Sequence, residues 1–300
     1  MPHRQFETHR PRLFALAYRM LGTRAEAEDV VQDVYLRWHD AAPAALDSAE
    51  AWLVTVTTRA AIDRLRAAQR ERAHYVGPWL AEPIALDALP GSQPGPDQQY
   101  EFAQDVSVAF LAVLERLGVE ERAAFLLHEV FDNDYREIAA MLGKSEAACR
   151  QMVHRARERV RAGRPRFAIT PEHHRALLAR FAEAARGGGL DTLRALFADD
   201  AVLVSDGGGK AVAALRPLQG AARIARLYHV LARQRSQMRE AFRIVEFNGE
   251  PGLLHWLNGQ LVTAYSVVGD GERIHALYAI RNPEKLAGLI GIDGALSQAV

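Results

Sequence analysis

Five polar side chains near the middle of the chain are spaced to contact nucleic acid. They follow a short apolar-faced segment that ends at Gly143, which suits a left-handed helix C-cap, and Ser145, which suits the N-cap of a new helix. Helix, tight turn with glycine and helix is the helix-turn-helix pattern. On the second helix, Ala148, Met152 and Ala156 are predicted to pack inward. The outer faces then carry groups that bind base edges and phosphates in a major groove: Arg150, Gln151, His154, Arg155 and Arg157.

This pattern alone leaves an ordinary helical hairpin with a solvated basic face equally open. The charge distribution supports a phosphate-binding surface, because the segment from Lys144 to Arg166 carries a net charge of +6. Residues 76–115, in contrast, contain six acids and no Lys or Arg. The chain as a whole is neutral, so the net charge by itself does not indicate a nucleic-acid partner.

Composition argues against several classes of protein. Cys149 is the single cysteine, which excludes an internal disulfide and a zinc site built from cysteines. No apolar run is long enough to predict a membrane span, and the segment MPHRQFETHRPR lacks the apolar core of a signal peptide. We expect a cytoplasmic protein that requires no metal and no cofactor.

Three helices are predicted before residue 73. Residues 6–39 contain two of them, separated by Gly22 and Thr23, and the third runs from about Glu50 to Arg72. The outer face of the second helix carries a mostly acidic stripe at positions i, i+3, i+4 and i+7: Asp29, Gln32, Asp33 and Leu36. An ordinary solvated helix face explains this stripe as well as a binding surface does.

Two stretches resemble one family of bacterial transcription proteins. AEAEDVVQDVYLRW followed by AWLVTVTTRAAIDRLR is similar to region 2 of the extracytoplasmic-function (ECF) sigma factors of RNA polymerase. EERAAFLLHEVFDNDYREIAAMLGKSEAACRQMVHRARERVR is similar to their region 4. The resemblance implies an alternative sigma factor, whose partners are core RNA polymerase and promoter DNA and which catalyses nothing itself.

The resemblance also implies roles for individual positions. The acidic stripe of Asp29, Gln32, Asp33 and Leu36 matches the polymerase contact. Loop 40–50, which contains Asp47, matches the element that captures an unstacked promoter base. The positions that would hold the separated DNA strand are Trp52, Arg59, Asp63 and Arg66. The positions that match the readers of the upstream (minus-35) promoter element are Arg150, Gln151, His154 and Arg155.

Residues 74–101 are predicted to form an interdomain linker, because they are acidic and rich in Pro and Gly. The WLAEP segment at residues 79–83 resembles the WLPEP motif of one ECF subgroup, group forty-one, with Ala81 in place of a proline. Trp79, Leu80 and Ile84 are too apolar for a solvated tether, so we expect the linker to dock on another part of the protein.

The chain after Arg166 is predicted to form an α+β domain. Helices are expected from Pro171, over residues 190–199 and over residues 221–234; AVLVSDGGGKAV predicts a strand, a glycine turn and a second strand, and four further strands form an antiparallel meander. This order is similar to the SnoaL-like/NTF2-like cone. Within it, DGGGK, NGEPG and RNPEKL resemble the C-terminal extension of the same ECF subgroup. We expect the linker and the cone to touch through Trp79, Leu80, Glu82, Pro83, Asp206, Gly207, Gly208, Gly209, Lys210, Asn282 and Pro283.

The expected fold class is therefore multidomain, with two all-α sigma domains followed by an α+β SnoaL-like cone. The expected boundaries are residues 1–73 for region 2, 74–101 for the linker, 102–166 for region 4 and 167–300 for the cone. The resemblance implies that the cone is a built-in regulator that replaces a separate anti-sigma factor. We expect the free protein to be monomeric.

Two other classes of function are left open. SnoaL-like folds host small isomerases and cyclases, and the candidate acid–base groups are Asp206, His255, His275 and Tyr278, each of which also has an ordinary structural explanation. In the second class, the cone binds a small molecule and the helix-turn-helix binds an operator as part of a one-component regulator. A sigma factor is separated from both by its co-purification with core polymerase.

Overall fold

The computed structural model describes residues 2–41, 48–85, 106–163 and 169–290. The chain divides into two compact units, of which the first contains residues 1–74, 90–106 and 110–164. The second contains residues 75–89, 107–109 and 165–300, so the linker segment 75–85 belongs to the same unit as the C-terminal region. Within the described ranges, no helix has both the length and the apolar character needed to cross a membrane.

Apart from residues 73–85 and short connections, the described chain up to residue 163 is helical, as predicted. Ser48 starts the third helix by accepting a hydrogen bond from Ala51 N at 3.2 Å. The helices in this part of the chain are α1 (Pro2–Leu21), α2 (Arg24–Ala41), α3 (Ala49–Arg72), α4 (Val108–Leu114), α5 (Val119–Glu129), α6 (Tyr135–Leu142) and α7 (Glu146–Gly163).

The helices of the first unit pack through large apolar side chains. Tyr18, Met20, Val34, Trp38 and Leu53 are each at most 1% exposed. Burying a side chain of this size stabilises a fold by about 1.5–3 kcal/mol relative to leaving it in water. Helical spacing of apolar residues thus decides which faces of α1, α2 and α3 turn inward.

Local hydrogen bonds define both ends of the helix-turn-helix. Asp134 and Glu137 form a capping box at the start of α6, with N–H to carboxylate distances of 2.7 and 2.9 Å. Gly143 ends α6 with φ 64°, and Ser145 Oγ accepts from Ala148 N at 3.2 Å to open α7. The turn predicted from Gly143 and Ser145 is therefore confirmed.

The buried side of α7 differs by about one residue from the prediction. Met152 and Ala156 are buried as predicted, but Ala148 is only half-buried. The buried stripe follows i, i+3, i+4, i+7 spacing from the cysteine that comes next in the sequence. It consists of Cys149, Met152, Val153, Ala156 and Val160.

The described part of the C-terminal region is a mixed sheet with helices packed on it. Thr170 caps its first helix through a bond from His173 N, and Gly188 ends that helix with φ 66°. The elements are α8 (Pro171–Gly187), α9 (Leu190–Leu196), β1 (Phe197–Asp206), β2 (Leu218–Gln219), α10 (Ala221–Arg235), β3 (Glu240–Phe247), β4 (Glu250–Leu257), β5 (Gln260–Gly269), β6 (Ile274–Ile280) and α11 (Pro283–Leu286).

The sheet has the strand order β2-β1-β6-β5-β4-β3. Strands β3 to β6 form the predicted antiparallel meander, and its turns at Asn248-Gly249 and Asn258-Gly259 have the positive φ angles that tight hairpins require. Strand β1 pairs in parallel with β6. Leu177, Phe181 and Tyr228 from the helices pack against Leu253 and Tyr265 of the sheet to form the core.

One predicted element of this region is wrong, and one predicted helix ends earlier than expected. The second strand expected directly after DGGGK is absent from the described chain, because Lys210 N and Ala211 N both donate to Gly207 O and coil the segment into a turn. The antiparallel partner of β1 is instead the short β2. Helix α9 ends at Leu196 rather than at residue 199, because Phe197 is already a buried strand residue paired with Ile274.

Candidate nucleic-acid interface and linker contacts

Helix α7 presents four of its five predicted DNA-contacting residues to solvent. Arg150, Gln151, His154 and Arg155 are exposed, and Arg157 is half-buried. They lie opposite the buried stripe of the same helix. The arrangement gives a polar surface about two helical turns long, which is the length of helix that typically enters a major groove.

Acidic residues partly neutralise this basic surface. Arg155 Nε donates to Glu121 Oε1 of α5 at 2.9 Å, Arg157 pairs with Glu129, and Arg150 lies 3.5 Å from Glu146. The Arg150–Glu146 pair is exposed on both sides, and pairs of this kind are worth about 0–1 kcal/mol, so a DNA phosphate can replace this carboxylate at little cost.

Two predicted strand-holding arginines of α3 contact other helices, Arg59 the first helix of the helix-turn-helix and Arg66 helix α5. Arg59 Nε donates to Met141 O at 3.0 Å and its Nη2 donates to Ala140 O at 3.2 Å. These carbonyls belong to the last turn of α6, where helix carbonyls lack intrahelical partners. Arg66 Nη2 donates to Glu120 Oε1 of α5 at 3.0 Å. In this structure Arg59 and Arg66 are therefore engaged within the protein.

The other positions expected to act in strand separation have different surroundings. Asp63 is exposed and lies 3.4 Å from Arg66, while Trp52 is half-buried with its ring 5.5 Å from that of Trp38. Asp47 lies outside the described residues. Arg59, Asp63 and Arg66 are all exposed on α3, so their role in holding the separated strand stays a prediction.

A buried ion-pair network, not recognised from the sequence, joins α1, α3 and α5. Arg122 is 1% exposed; its guanidinium donates to Met20 O at 2.7 Å and to Glu115 Oε2 at 2.8 Å. The other carboxylate oxygen of Glu115 accepts from Arg72 Nη1 at 2.8 Å, and Arg72 Nη2 donates to Leu21 O at 2.6 Å. Burial lowers the pKa of Arg122, and the charge of Glu115 opposes that shift.

The acidic stripe of α2 lies on the surface. Asp29, Gln32, Asp33 and Leu36 are all exposed, and Leu36 is 53% exposed although it is apolar. Asp29 lies 3.7 Å from Arg64 of α3. An exposed leucine among carboxylates is the composition expected of a surface that meets a basic, partly apolar partner.

Asp206 is the centre of the contact between the linker and the C-terminal region. It is fully buried at the end of β1, and its carboxylate accepts from Tyr75 Oη at 2.5 Å, Leu80 N at 2.9 Å and Lys285 Nζ at 2.7 Å. Burial and the bond to Asp206 raise the pKa of Tyr75 well above its ordinary value, so this phenol stays a donor. Asn282 Nδ2 donates to the Tyr75 oxygen at 3.0 Å.

Lys285 holds the WLAEP segment from the other side. Its ammonium group donates to Leu80 O and lies 4.0 Å from the centre of the Trp79 ring, a cation–π distance. Leu80 is 2% exposed. Both backbone polar groups of Leu80 are therefore hydrogen-bonded to charged side chains. These bonds offset the cost of removing the backbone from water in a segment without regular structure.

The linker is held at a second point four residues further on. Ile84 N donates to Asn248 Oδ1 at 3.0 Å, and Asn248 N donates back to Ile84 O at 2.8 Å.

The contact of Tyr75 with the C-terminal region requires a glycine at position 208. A Cβ on Gly208 would lie 2.7 Å from the Tyr75 hydroxyl, so only glycine permits this close approach.

The residues expected to form the contact between the linker and the cone differ in how far they are buried. Buried members are Leu80, Pro83, Asp206, Gly207 and Asn282, and half-buried members are Trp79, Glu82 and Gly208. Exposed members are Gly209, Lys210 and Pro283. Lys210 pairs with Glu284, and Pro283 starts α11. Sequence reasoning did not single out Tyr75, Asn248 or Lys285, although the last two lie within the NGEPG and RNPEKL segments.

The candidate acid–base residues are engaged in separate structural contacts. Asp206 binds the linker, and His275 Nε2 lies 2.9 Å from Asp270 Oδ2 near the surface. His255 is fully buried, with Nε2 2.7 Å from Glu240 Oε1, and burial lowers its pKa. Tyr278 is half-buried on β6, opposite Val204. The structure does not gather these four groups into one site.

Partial burial of Glu250, which is half-buried beside the Asn248 turn, predicts a pH-dependent stability. Burial raises the pKa of Glu250 from 4.5 to about 7. The folded chain then holds a proton that the unfolded chain releases between these two values, so the free energy of unfolding falls as the pH rises from about 4.5 to 7. Glu250→Gln is expected to stabilise the protein by roughly 2–3 kcal/mol at pH 8 and to change little at pH 4.

Urea unfolding of the full chain at both pH values measures this effect. Glu246→Gln, on the exposed face of β3, is the matched control and should be nearly neutral at both. Equal stability changes at pH 4 and pH 8 for Glu250→Gln would contradict the assignment.

Comparison with known families defines the class of the protein. The family Sigma-70 region 2 matches residues 5–71, and Sigma-70, region 4 matches residues 107–160. The first match covers α1 to α3, and the second contains the helix-turn-helix of α6 and α7. Two such regions in this order define a sigma-70-type sigma factor.

The chain belongs to the ECF RNA polymerase sigma factors. SigJ of Mycobacterium tuberculosis is 36% identical over 296 residues, which is 95% of this chain and 93% of SigJ. SigI of the same organism is 35% identical over 190 residues, 63% of this chain and 64% of SigI. The crystal structure of M. tuberculosis SigJ matches with a TM-score of 0.73 at 33% identity, covering 95% of this chain and 98% of that one. The expected fold class, including the α+β SnoaL-like region, is confirmed.

Proposed function

We propose that the chain is an alternative sigma factor that binds core RNA polymerase, recognises and melts a promoter, and directs transcription of a specific set of genes. The observation that carries this proposal is the exposure of four polar residues on α7, the second helix of a capped helix-turn-helix. They are Arg150, Gln151, His154 and Arg155. In this proposal the chain binds polymerase and DNA and does not catalyse a reaction itself. The separate positions of His255, His275 and Tyr278 support that view.

We infer that the C-terminal region regulates this activity through the linker. The inference is supported by the bonds of Asp206 and Lys285 to residues 75–80 and by the Ile84–Asn248 pair. These contacts fix part of the chain that connects the two sigma regions. A change that loosens them alters the freedom of one promoter-binding region relative to the other.

Co-purification and run-off transcription test the main proposal. The full chain is expected to co-purify with core polymerase and to support transcription from a promoter on which core alone is inactive. A one-component regulator would bind an operator without core and would fail both measurements. That result would replace the sigma-factor proposal with the ligand-sensing alternative.

The acidic stripe of α2 is proposed to contact polymerase. Asp29→Arg combined with Asp33→Arg is expected to lower the affinity for core by at least tenfold, because two attractive charge contacts become repulsive. Fluorescence anisotropy of labelled protein titrated with core at physiological salt measures this. Asp199→Arg with Asp200→Arg makes the same charge change at exposed positions of the second unit and should leave affinity unchanged. Equal affinities for both double variants would contradict the assignment.

A further inference from the structure

Glu121 is placed to hold two arginines of α7. It lies in the first turn of α5 with its side chain 15% exposed. One carboxylate oxygen accepts from Arg155 Nε at 2.9 Å, and the other accepts from Arg159 and from Gly118 N at 3.4 Å. Because the backbone bond fixes the carboxylate to its own helix, Glu121 is a rigid partner for side chains that would otherwise be mobile.

Among the described residues, the hydrogen bond of the Arg155 side chain uses Nε and not its outer donors. Glu121 binds Arg155 through Nε, whereas the two terminal NH₂ groups of a guanidinium form the fork that makes paired contacts with guanine or phosphate. The Arg155 side chain remains 51% exposed. A guanidinium held at Nε keeps its terminal fork for DNA and loses less conformational freedom when it binds.

The charge of Glu121 has a second effect on DNA binding. Partial burial opposes its ionisation, but the bond from Arg155 and the charge of Arg159 keep its pKa below the ordinary value, so it is a carboxylate at neutral pH. A negative charge beside the DNA-facing helix weakens attraction to all phosphates alike. One residue thus disfavours non-specific binding while it orients a side chain that distinguishes bases.

We propose that Glu121 is a positioning residue for recognition of the upstream promoter element, acting through Arg155. This inference rests on the proposed function, in which α7 reads that element. It predicts that removing the Glu121 charge increases binding to unrelated DNA and decreases the preference for the correct sequence. A residue that only masks the basic surface would change the binding of both DNAs by the same factor.

Glu120→Gln provides a matched control for Glu121→Gln. Glu120 is the preceding residue on α5, and its partners are Lys144 and Arg66, each at 3.0 Å, neither of which is a proposed base reader. Both variants remove one negative charge at neighbouring positions. Their common effect on DNA binding therefore reports general electrostatics, and any difference between them reports the contact with Arg155.

The experiment measures the ratio of specific to non-specific affinity for the full chain assembled with core polymerase. The probes are a duplex recovered from a randomised pool by the wild-type holoenzyme and a scrambled duplex of the same composition. Glu121→Gln is expected to lower the ratio about tenfold, the scale of one well-formed side-chain–base contact. Glu120→Gln is expected to leave the ratio unchanged. Arg155→Ala and the Glu121→Gln/Arg155→Ala double variant complete a double-mutant cycle, which measures the coupling between the two residues.

Each outcome decides the inference. In the Arg155→Ala background, Glu121→Gln should have no further effect on the ratio, which a general loss of stability would not reproduce. If Glu121→Gln and Glu120→Gln give the same ratio while Arg155→Ala lowers it, the positioning role is overturned and the function of α7 stands. If Arg155→Ala leaves the ratio unchanged, the proposed reading of DNA by Arg155 fails, and the inference fails with it.

Discussion

Replacing Asp206 with asparagine is expected to release residues 75–80 and to lower the free energy of unfolding of the second unit by about 3–5 kcal/mol. The buried ammonium of Lys285 loses the charge of the Asp206 carboxylate 2.7 Å away, and Tyr75 loses a charged acceptor. An amide of the same size accepts fewer hydrogen bonds than a carboxylate and carries no charge. Removal of one member of a buried charged pair costs more than the pair itself contributes.

Limited proteolysis with chymotrypsin detects the release. Cleavage after Tyr75 and Trp79 should accelerate in Asp206→Asn and be mapped by mass spectrometry, while urea unfolding gives the change in stability. Lys210→Gln breaks the exposed Lys210–Glu284 pair in the same unit and is the control, with an expected cost of about 0–1 kcal/mol. If Asp206→Asn is cleaved at Tyr75 and Trp79 at the same rates as the wild type, Asp206 does not anchor the linker.

Replacing Arg122 with methionine is expected to destabilise the first unit by about 3 kcal/mol or more. Methionine fills similar space but leaves Met20 O and one oxygen of Glu115 without their donor. Buried acceptors that lose their partner carry the full cost of desolvation. The effect should appear in α1, α3 and α5 together, because the network joins all three.

Far-UV circular dichroism during urea unfolding measures this loss. Arg66→Met removes a guanidinium from the exposed contact with Glu120 and serves as the control, with an expected cost of about 0–1 kcal/mol. Equal destabilisation by the two substitutions would show that burial adds nothing to the Arg122 network.

The sequence allowed prediction of features that depend on local chemistry. Gly143 and Ser145 fix the turn of the helix-turn-helix because cap geometry depends on a few neighbouring residues. The apolar WLAEP segment indicated that the linker docks, because Trp79 and Leu80 are costly to leave in water. The exposed acidic stripe of α2 followed from helical periodicity in the same way.

Other features depend on contacts between distant residues, which periodicity does not report. From the sequence, Asp206 is a candidate both for acid–base chemistry and for contact with the linker. Its bonds to Tyr75 and Lys285, which lie far away in the sequence, show the contact. The pairing of β1 with β6 depends on the whole sheet, so the strand after DGGGK was misplaced. Arg122 does not stand out in a sequence rich in arginine, and nothing in the sequence distinguishes Glu121 from its neighbour Glu120.

Attachment of residues 75–85 at both ends has a consequence for the spacing of promoter elements. These residues belong to the covalent segment between α3 and α4, and an extended chain spans at most about 3.3–3.6 Å per residue. While they are held, these residues span one fixed distance, whereas ten free residues can extend over any distance up to about 35 Å. In a tethered pair, the second binding event depends on whether the tether can span the two sites. The C-terminal region would thereby select which distances between promoter elements can be bound at once, without touching DNA.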